Sequence, residues 1–224
     1  MPKINFKHSL FTEFARVGKA LSNANRLELM EFLAQGTRSV EELAKISGLS
    51  VANTSQHLQH LRQAGLVIGQ KKGLKVYYQL SARDVVELIS VLRNVAQRHI
   101  AEVDRLIHDA LDAKDDLEAI PRDELAKRIK QGMVTVIDVR PAEEYNAGHV
   151  SGAVNIPLIE LENKMKNLPR DKEVVAYCRG PHCVLAFDAV HKLRQSGLKA
   201  RRMEDGFPEW MNANMPVESE PHND

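Results

Sequence analysis

Apolar positions recur at helical spacing near the start of the chain: Leu10, Phe14, Val17 and Leu21, then Leu27, Leu29, Met30 and Leu33. The pattern predicts two helices broken around Ser22-Asn23-Ala24-Asn25, with Asn25 capping the second. Ser39-Val40-Glu41-Glu42 sets an acid three residues after a serine, the capping-box pattern, and opens a short helix that stops at Ser47-Gly48. Ser50 caps the next helix, residues 51–64, whose buried side carries Leu58 and Leu61. Gly65 closes it, and residues 66–78 then read as strand, Gly-bounded basic turn over 69–73, and strand. From Val85 to Ala110 one long helical pattern follows, too apolar to stand alone. Beyond Pro121 the period changes. Met133-Val134-Thr135-Val136-Ile137 is a β-branched run suited to a buried parallel strand; Val174-Val175-Ala176-Tyr177 is a second, and helical spacing resumes at Val184.

A chain of 224 residues is comfortable for two domains, each able to bury its own core. The boundaries expected are 1–111 for the first, 112–120 for a linker, 121–217 for the second and 218–224 for a tail. No apolar run approaches the roughly 18 residues that span a bilayer, and Met1-Pro2-Lys3-Ile4-Asn5-Phe6-Lys7 lacks the apolar stretch of a secretory signal, so a cytoplasmic protein with no membrane partner is expected. The net charge of +1 hides an asymmetry: residues 1–110 carry 15 Lys and Arg against 10 Asp and Glu, the remainder 16 against 20. The basic half suits a polyanion. The two cysteines, Cys178 and Cys183, share one short loop; a reducing compartment makes them a reactive or redox pair rather than a structural staple.

Helix, Gly-containing turn, helix is the grammar of a helix-turn-helix, and the hairpin after it is a wing whose Lys71, Lys72 and Lys75 can reach phosphates. The segment 52–67, Ala-Asn-Thr-Ser-Gln-His-Leu-Gln-His-Leu-Arg-Gln-Ala-Gly-Leu-Val, resembles the winged helix of the ArsR/SmtB family. That resemblance implies a mainly α DNA-binding domain whose recognition helix offers Asn53, Thr54, Ser55, Gln56, His57, His60 and Arg62 to a double-stranded operator. It also implies a homodimer paired through the last helix, to match a palindromic site. The chain departs from the family's metal sensors. No cysteine precedes Cys178, and although His99 and Glu102 form one pair on the last helix, Val86 and Leu88 stand where further ligands belong; no metal and no cofactor is expected.

In the second half, Asp138-Val139-Arg140, Glu143-Glu144-Tyr145, the run from Gly148 to Pro157, Tyr177-Cys178-Arg179-Gly180 and Gly206-Phe207 with Trp210 resemble a rhodanese domain, an α/β fold with a parallel sheet. Rhodaneses carry sulfur on the loop cysteine, so the resemblance makes Cys178 the carrier and Arg179, Gly180, His182, Cys183, Asp138 and Arg140 its site. A thiolate at the mouth of a loop that leads into a helix faces backbone N–H groups and the positive end of the helix dipole, with Arg179 and His182 as cationic support. Cys183 has two readings: a thiol that resolves a persulfide or sulfenic acid on Cys178, or a small apolar residue in the first helical turn. A Cys-based phosphatase needs an Arg six positions after its nucleophile, and position 184 is Val.

The expectation is a transcriptional regulator, of repressor type, whose operator affinity follows the sulfur or redox state of Cys178, with a small sulfur donor or thiol acceptor as partner. A working sulfurtransferase with an accessory DNA-binding domain is the alternative. A soft ion such as As(III) on the two thiolates ranks third, because two ligands poorly fill a three-coordinate site.

Overall fold

The computed structural model describes residues 5–112 and 119–220; most of the expected linker, at 113–118, and the ends at 1–4 and 221–224 lie outside the described residues. The chain divides into two compact units after Ile89.

The first unit runs α1 (Phe6–Leu21), α2 (Ala24–Leu33), β1 (Arg38–Ser39), α3 (Val40–Ser47), α4 (Val51–Gln63), β2 (Val67–Lys72), β3 (Lys75–Leu80) and the first turns of α5 (Asp84–His99). Asn23, not Asn25, caps α2: its extended backbone lets the side chain accept from the Arg26 amide, whereas Asn25 already lies in the first turn. Around α3 the capping box forms as expected, the Glu42 amide donating to Ser39 Oγ at 3.2 Å and the Ser39 amide to Glu42 Oε2 at 2.8 Å. Gly48, at φ 70°, makes the left-handed turn between α3 and α4. Leu29, Met30, Leu43, Leu58 and Leu61 form a core closed to solvent. The antiparallel sheet has the order β1-β3-β2. Its hairpin turns over Gly73 and Leu74 alone, shorter than the turn expected over 69–73, because Lys72 pairs with Lys75. Gly69, expected at the turn, lies inside β2, where a Cβ would come 2.9 Å from the Tyr78 ring.

The second unit holds the rest of α5, α6 (Ala101–Ile107), α7 (Arg122–Lys130), β4 (Val134–Asp138), α8 (Ala142–Ala147), β5 (His149–Val150), β6 (Val154–Asn155), α9 (Leu161–Lys164), β7 (Glu173–Tyr177), α10 (Val184–Gln195), β8 (Ala200–Arg202), α11 (Phe207–Asn212) and β9 (Val217–Glu218). The single long helix expected over 85–110 is broken at Ile100, whose backbone is extended. The main sheet, in the order β6-β4-β7-β8, is parallel throughout. Ile137, Val174 and Ala176 face one core with α10, while Val136, Val175 and Tyr177 face another with Leu125, Phe207 and Trp210. Both faces are covered, which is why these strands read as unbroken apolar runs. β9 pairs with β5, across the boundary expected between domain and tail. Among the described residues no helix is long and apolar enough to cross a membrane.

Candidate functional site

β7 ends at Tyr177 and α10 begins at Val184, so the 178–183 loop lies at the carboxyl edge of the parallel sheet, where open α/β sheets place ligands. Cys183 takes the N-cap position of α10 and packs partly against the core. Cys178 and Cys183 are joined as a disulfide with Cα atoms 6.1 Å apart, inside the range a bridge requires. Cys178 is only 1% exposed. In this bridged form Cys178 is part of the core, with Cys183 packed against it.

The polar residues expected to serve Cys178 have other partners. Asp138 and Arg140 are completely buried: Arg140 Nη2 donates to Asp138 Oδ2 at 2.6 Å and to the Gly148 carbonyl at 2.7 Å. Tyr177 Oη donates to the same Asp138 oxygen at 2.6 Å and accepts from the Val150 amide at 3.0 Å. Burial and the Asp138 carboxylate hold that phenol far above its ordinary range. This cluster ties β4, β5 and β7 together from inside. Arg179 donates to the buried Glu144, with Nε at 2.9 Å and Nη2 at 2.7 Å. Burial, with Arg93 and Arg202 beside it, lowers the pKa of His182. Gly180 is buried in the loop.

On α4, Asn53, Gln56, His60 and Arg62 are exposed, and so are Lys71, Lys72 and Lys75 on the wing. Thr54 is not available to a ligand: it is 0% exposed and donates to the Ser50 carbonyl at 3.0 Å, completing the turn. Ser55 and His57 are half-buried. Burial and the neighbouring Arg26 hold His57 below the usual imidazole value. One feature escaped the sequence: a pocket of ≈ 380 Å³ lined by Arg16, Lys19, Arg26 and His60, whose members come from three helices and carry no local signal. Among the described residues no cluster of three or more His, Cys, Asp or Glu is arranged to hold a metal.

Residues 23–68 match the family model described as bacterial regulatory protein, arsR family, and residues 121–213 match the rhodanese-like domain. The HTH-type transcriptional regulator Rv0324 of Mycobacterium tuberculosis is 43% identical over 212 residues, 95% of this chain and 93% of that protein. The chain belongs to the ArsR family of bacterial regulators, in a form that carries a rhodanese-like domain. This ArsR-family regulator is thus a DNA-binding protein with a winged helix-turn-helix followed by a rhodanese-like domain. Its first half is similar to the homodimeric winged helix-turn-helix DNA-binding domain Mb0332 of Mycobacterium bovis, at 37% identity and TM-score 0.41, covering 45% of this chain and 93% of that one. Its second half is similar to a rhodanese-related protein of Thermoplasma volcanium, at 34% identity and TM-score 0.41, covering 46% and 98%.

Proposed function

We propose that this ArsR-family regulator is a cytoplasmic repressor that binds its operator as a homodimer and changes affinity with the sulfur state of Cys178. The observation that carries the reading is the meeting of Cys178 and Cys183 in one loop at the carboxyl edge of the sheet. A sulfane-sulfur donor hands one neutral sulfur atom to the Cys178 thiolate, giving a persulfide. The Cys183 thiolate then attacks Sγ of Cys178, the outer sulfur leaves as hydrosulfide, and a disulfide remains. Two electrons pass from the two thiolates to the sulfur that departs. Backbone amides of the loop and of the first turn of α10 favour the anionic forms on this path.

On the DNA side, Asn53, Gln56, His60 and Arg62 are exposed for the groove and Lys71, Lys72 and Lys75 for the phosphates. Homodimerisation is supported by apolar side chains left open on two helices: Phe6, Phe11 and Phe14 on α1 are 76%, 57% and 58% exposed, and Val91 and Val95 on α5 are 53% and 51%. To test the switch, operator affinity is measured for the wild type and for Cys178→Ser, each before and after inorganic polysulfide. The wild type alone should respond; identical affinities in all four cases overturn it.

The rhodanese-like match favours a second reading, a sulfurtransferase. Thiosulfate or 3-mercaptopyruvate with a thiol acceptor separates the two, because an enzyme turns over repeatedly whereas the switch reacts once per loop.

A further inference from the structure

The loop that holds Cys178 rests directly on the start of α11. A Cβ at Gly206 would lie 2.4 Å from the backbone carbon and oxygen of Arg179 and from Cα of Gly180, so the two main chains touch with no side chain between them. The Phe207 amide donates to the Cys178 carbonyl at 3.0 Å. Packed backbones of this kind do not deform gradually, and a movement of Arg179 and Gly180 must displace Gly206. Glu209 stands in the first turn of α11. Its Oε2 accepts from the Gly206 amide at 3.2 Å, and its Oε1 accepts from Ser90 Oγ and Arg93 Nη1, both at 3.2 Å.

Ser90 and Arg93 lie on the later turns of α5, within the second unit. The Arg93–Glu209 pair is sheltered, its side chains 23% and 11% exposed, so it is screened far less than a surface ion pair. Arg93 also reaches the loop itself: a Cβ at Gly180 would come 3.8 Å from both of its terminal nitrogens. α5 is one unbroken helix, and its earlier turns place Val85 in the winged-helix core with Ile89 packed against it.

We propose that Glu209, bonded at once to Gly206 beneath the cysteine loop and to Ser90 and Arg93 on α5, is the positioning residue that transmits the state of the 178–183 loop to α5. This rests on the switch proposed above. Opening the bridge, or lengthening it by a sulfur, shifts the main chain at Arg179 and Gly180. Gly206 moves with it, carrying the Glu209 carboxylate. Hydrogen bonds of 3.2 Å are already at the long end of their range, so a displacement of a few tenths of an ångström releases Ser90 and Arg93.

The test uses the full chain and one duplex selected from a randomised pool by the wild-type protein. Affinity is compared between protein reduced with dithiothreitol and protein bridged by inorganic polysulfide, with the loop state read by mass spectrometry. The wild-type ratio should fall in the range of about 5- to 150-fold usual for coupled sites. In Arg93→Gln and in Ser90→Ala the ratio should fall toward one while the bridge forms as in the wild type, and Arg93→Lys, which keeps the charge, should restore part of it. These two positions lie on the α5 side, so the cap that Glu209 gives α11 survives; Glu209→Gln is measured beside them. A full wild-type ratio in Arg93→Gln and Ser90→Ala overturns the coupling and leaves the switch standing. A ratio of one in the wild type overturns the switch and the coupling with it.

Discussion

Cys178 announces itself because a strand, a short loop and a helix follow one another within some twenty residues, and that order alone puts it at the edge of a sheet. Its neighbours are harder to read. Arg179 looks like a cation for the sulfur until Glu144, 35 positions earlier, is seen to hold it, and no local pattern reveals a pairing at that separation. Asp138 and Arg140 are the sharper case. They belong to the motif by which the domain is recognised, yet they are completely buried on each other. Breaking a buried pair leaves an uncompensated charge, so Arg140→Met or Asp138→Asn should cost about 3–5 kcal/mol in urea unfolding. Removal with no loss of stability would show that the buried pair does not stabilise the fold. Histidine gives a second expectation. His57 and His182 both titrate below the usual 6.5 when folded. The unfolded chain therefore takes up protons first as pH falls through 6.5, and stability present above that value is lost below it. Melting between pH 7.5 and 5.5 should show the decline, and His182→Gln should flatten it in part; an unaltered slope in the variant refutes the assignment to His182.

Elements set by neighbours a few residues apart were legible: the Ser39 capping box, the Ser50 cap and the left-handed Gly48 all form where the pattern puts them. Errors arose where two residues of one type compete or where pairing is long-range. Asn23 and Asn25 differ only in which can adopt the extended N-cap backbone, and the length of the wing is decided by Lys72 meeting Lys75 and by the Tyr78 ring over Gly69. Thr54 looks ligand-facing in a helix drawn from sequence, which does not show which polar residue bonds its own preceding turn. Each element carries a distinct expectation for DNA. Lysines that touch phosphates act through released counterions, at about 0.9 of slope per contact, so in a homodimer Lys71→Ala, Lys72→Ala or Lys75→Ala should each lower the slope of log affinity against log salt by about 1.8, uniformly over duplexes. Asn53→Ala or Gln56→Ala should instead change which duplex is preferred. A wing variant with an unchanged salt slope removes that lysine from the interface. Thr54→Val should leave both properties alone and cost about 1 kcal/mol of stability for the lost hydrogen bond.

At the scale of the molecule, the change of hydrophobic period marked two folds, and both are present. What periodicity does not reveal is where packing divides them. The expected first domain runs through residue 111 because helical spacing continues that far, whereas the compact units divide after Ile89, within α5. The proposed switch has a thermodynamic consequence. If the bridged and open loops bind an operator with different affinity, the operator must shift the loops' thiol–disulfide equilibrium by the same factor, since coupling between two binding equilibria is reciprocal. The equilibrium of the 178–183 loops against a dithiothreitol redox buffer, measured with and without saturating duplex, should therefore move, over the two loops of a dimer together, by the ratio of the two duplex affinities. Each loop is a two-electron couple, so a tenfold ratio shared between two loops corresponds to about 15 mV. The sign is set as well: if the bridged form binds more weakly, DNA makes the bridge easier to reduce. An affinity ratio well above one with no shift in the redox equilibrium is incompatible with a single pair of states linking cysteine loop and DNA, and would mean that polysulfide acts on the protein somewhere other than Cys178 and Cys183.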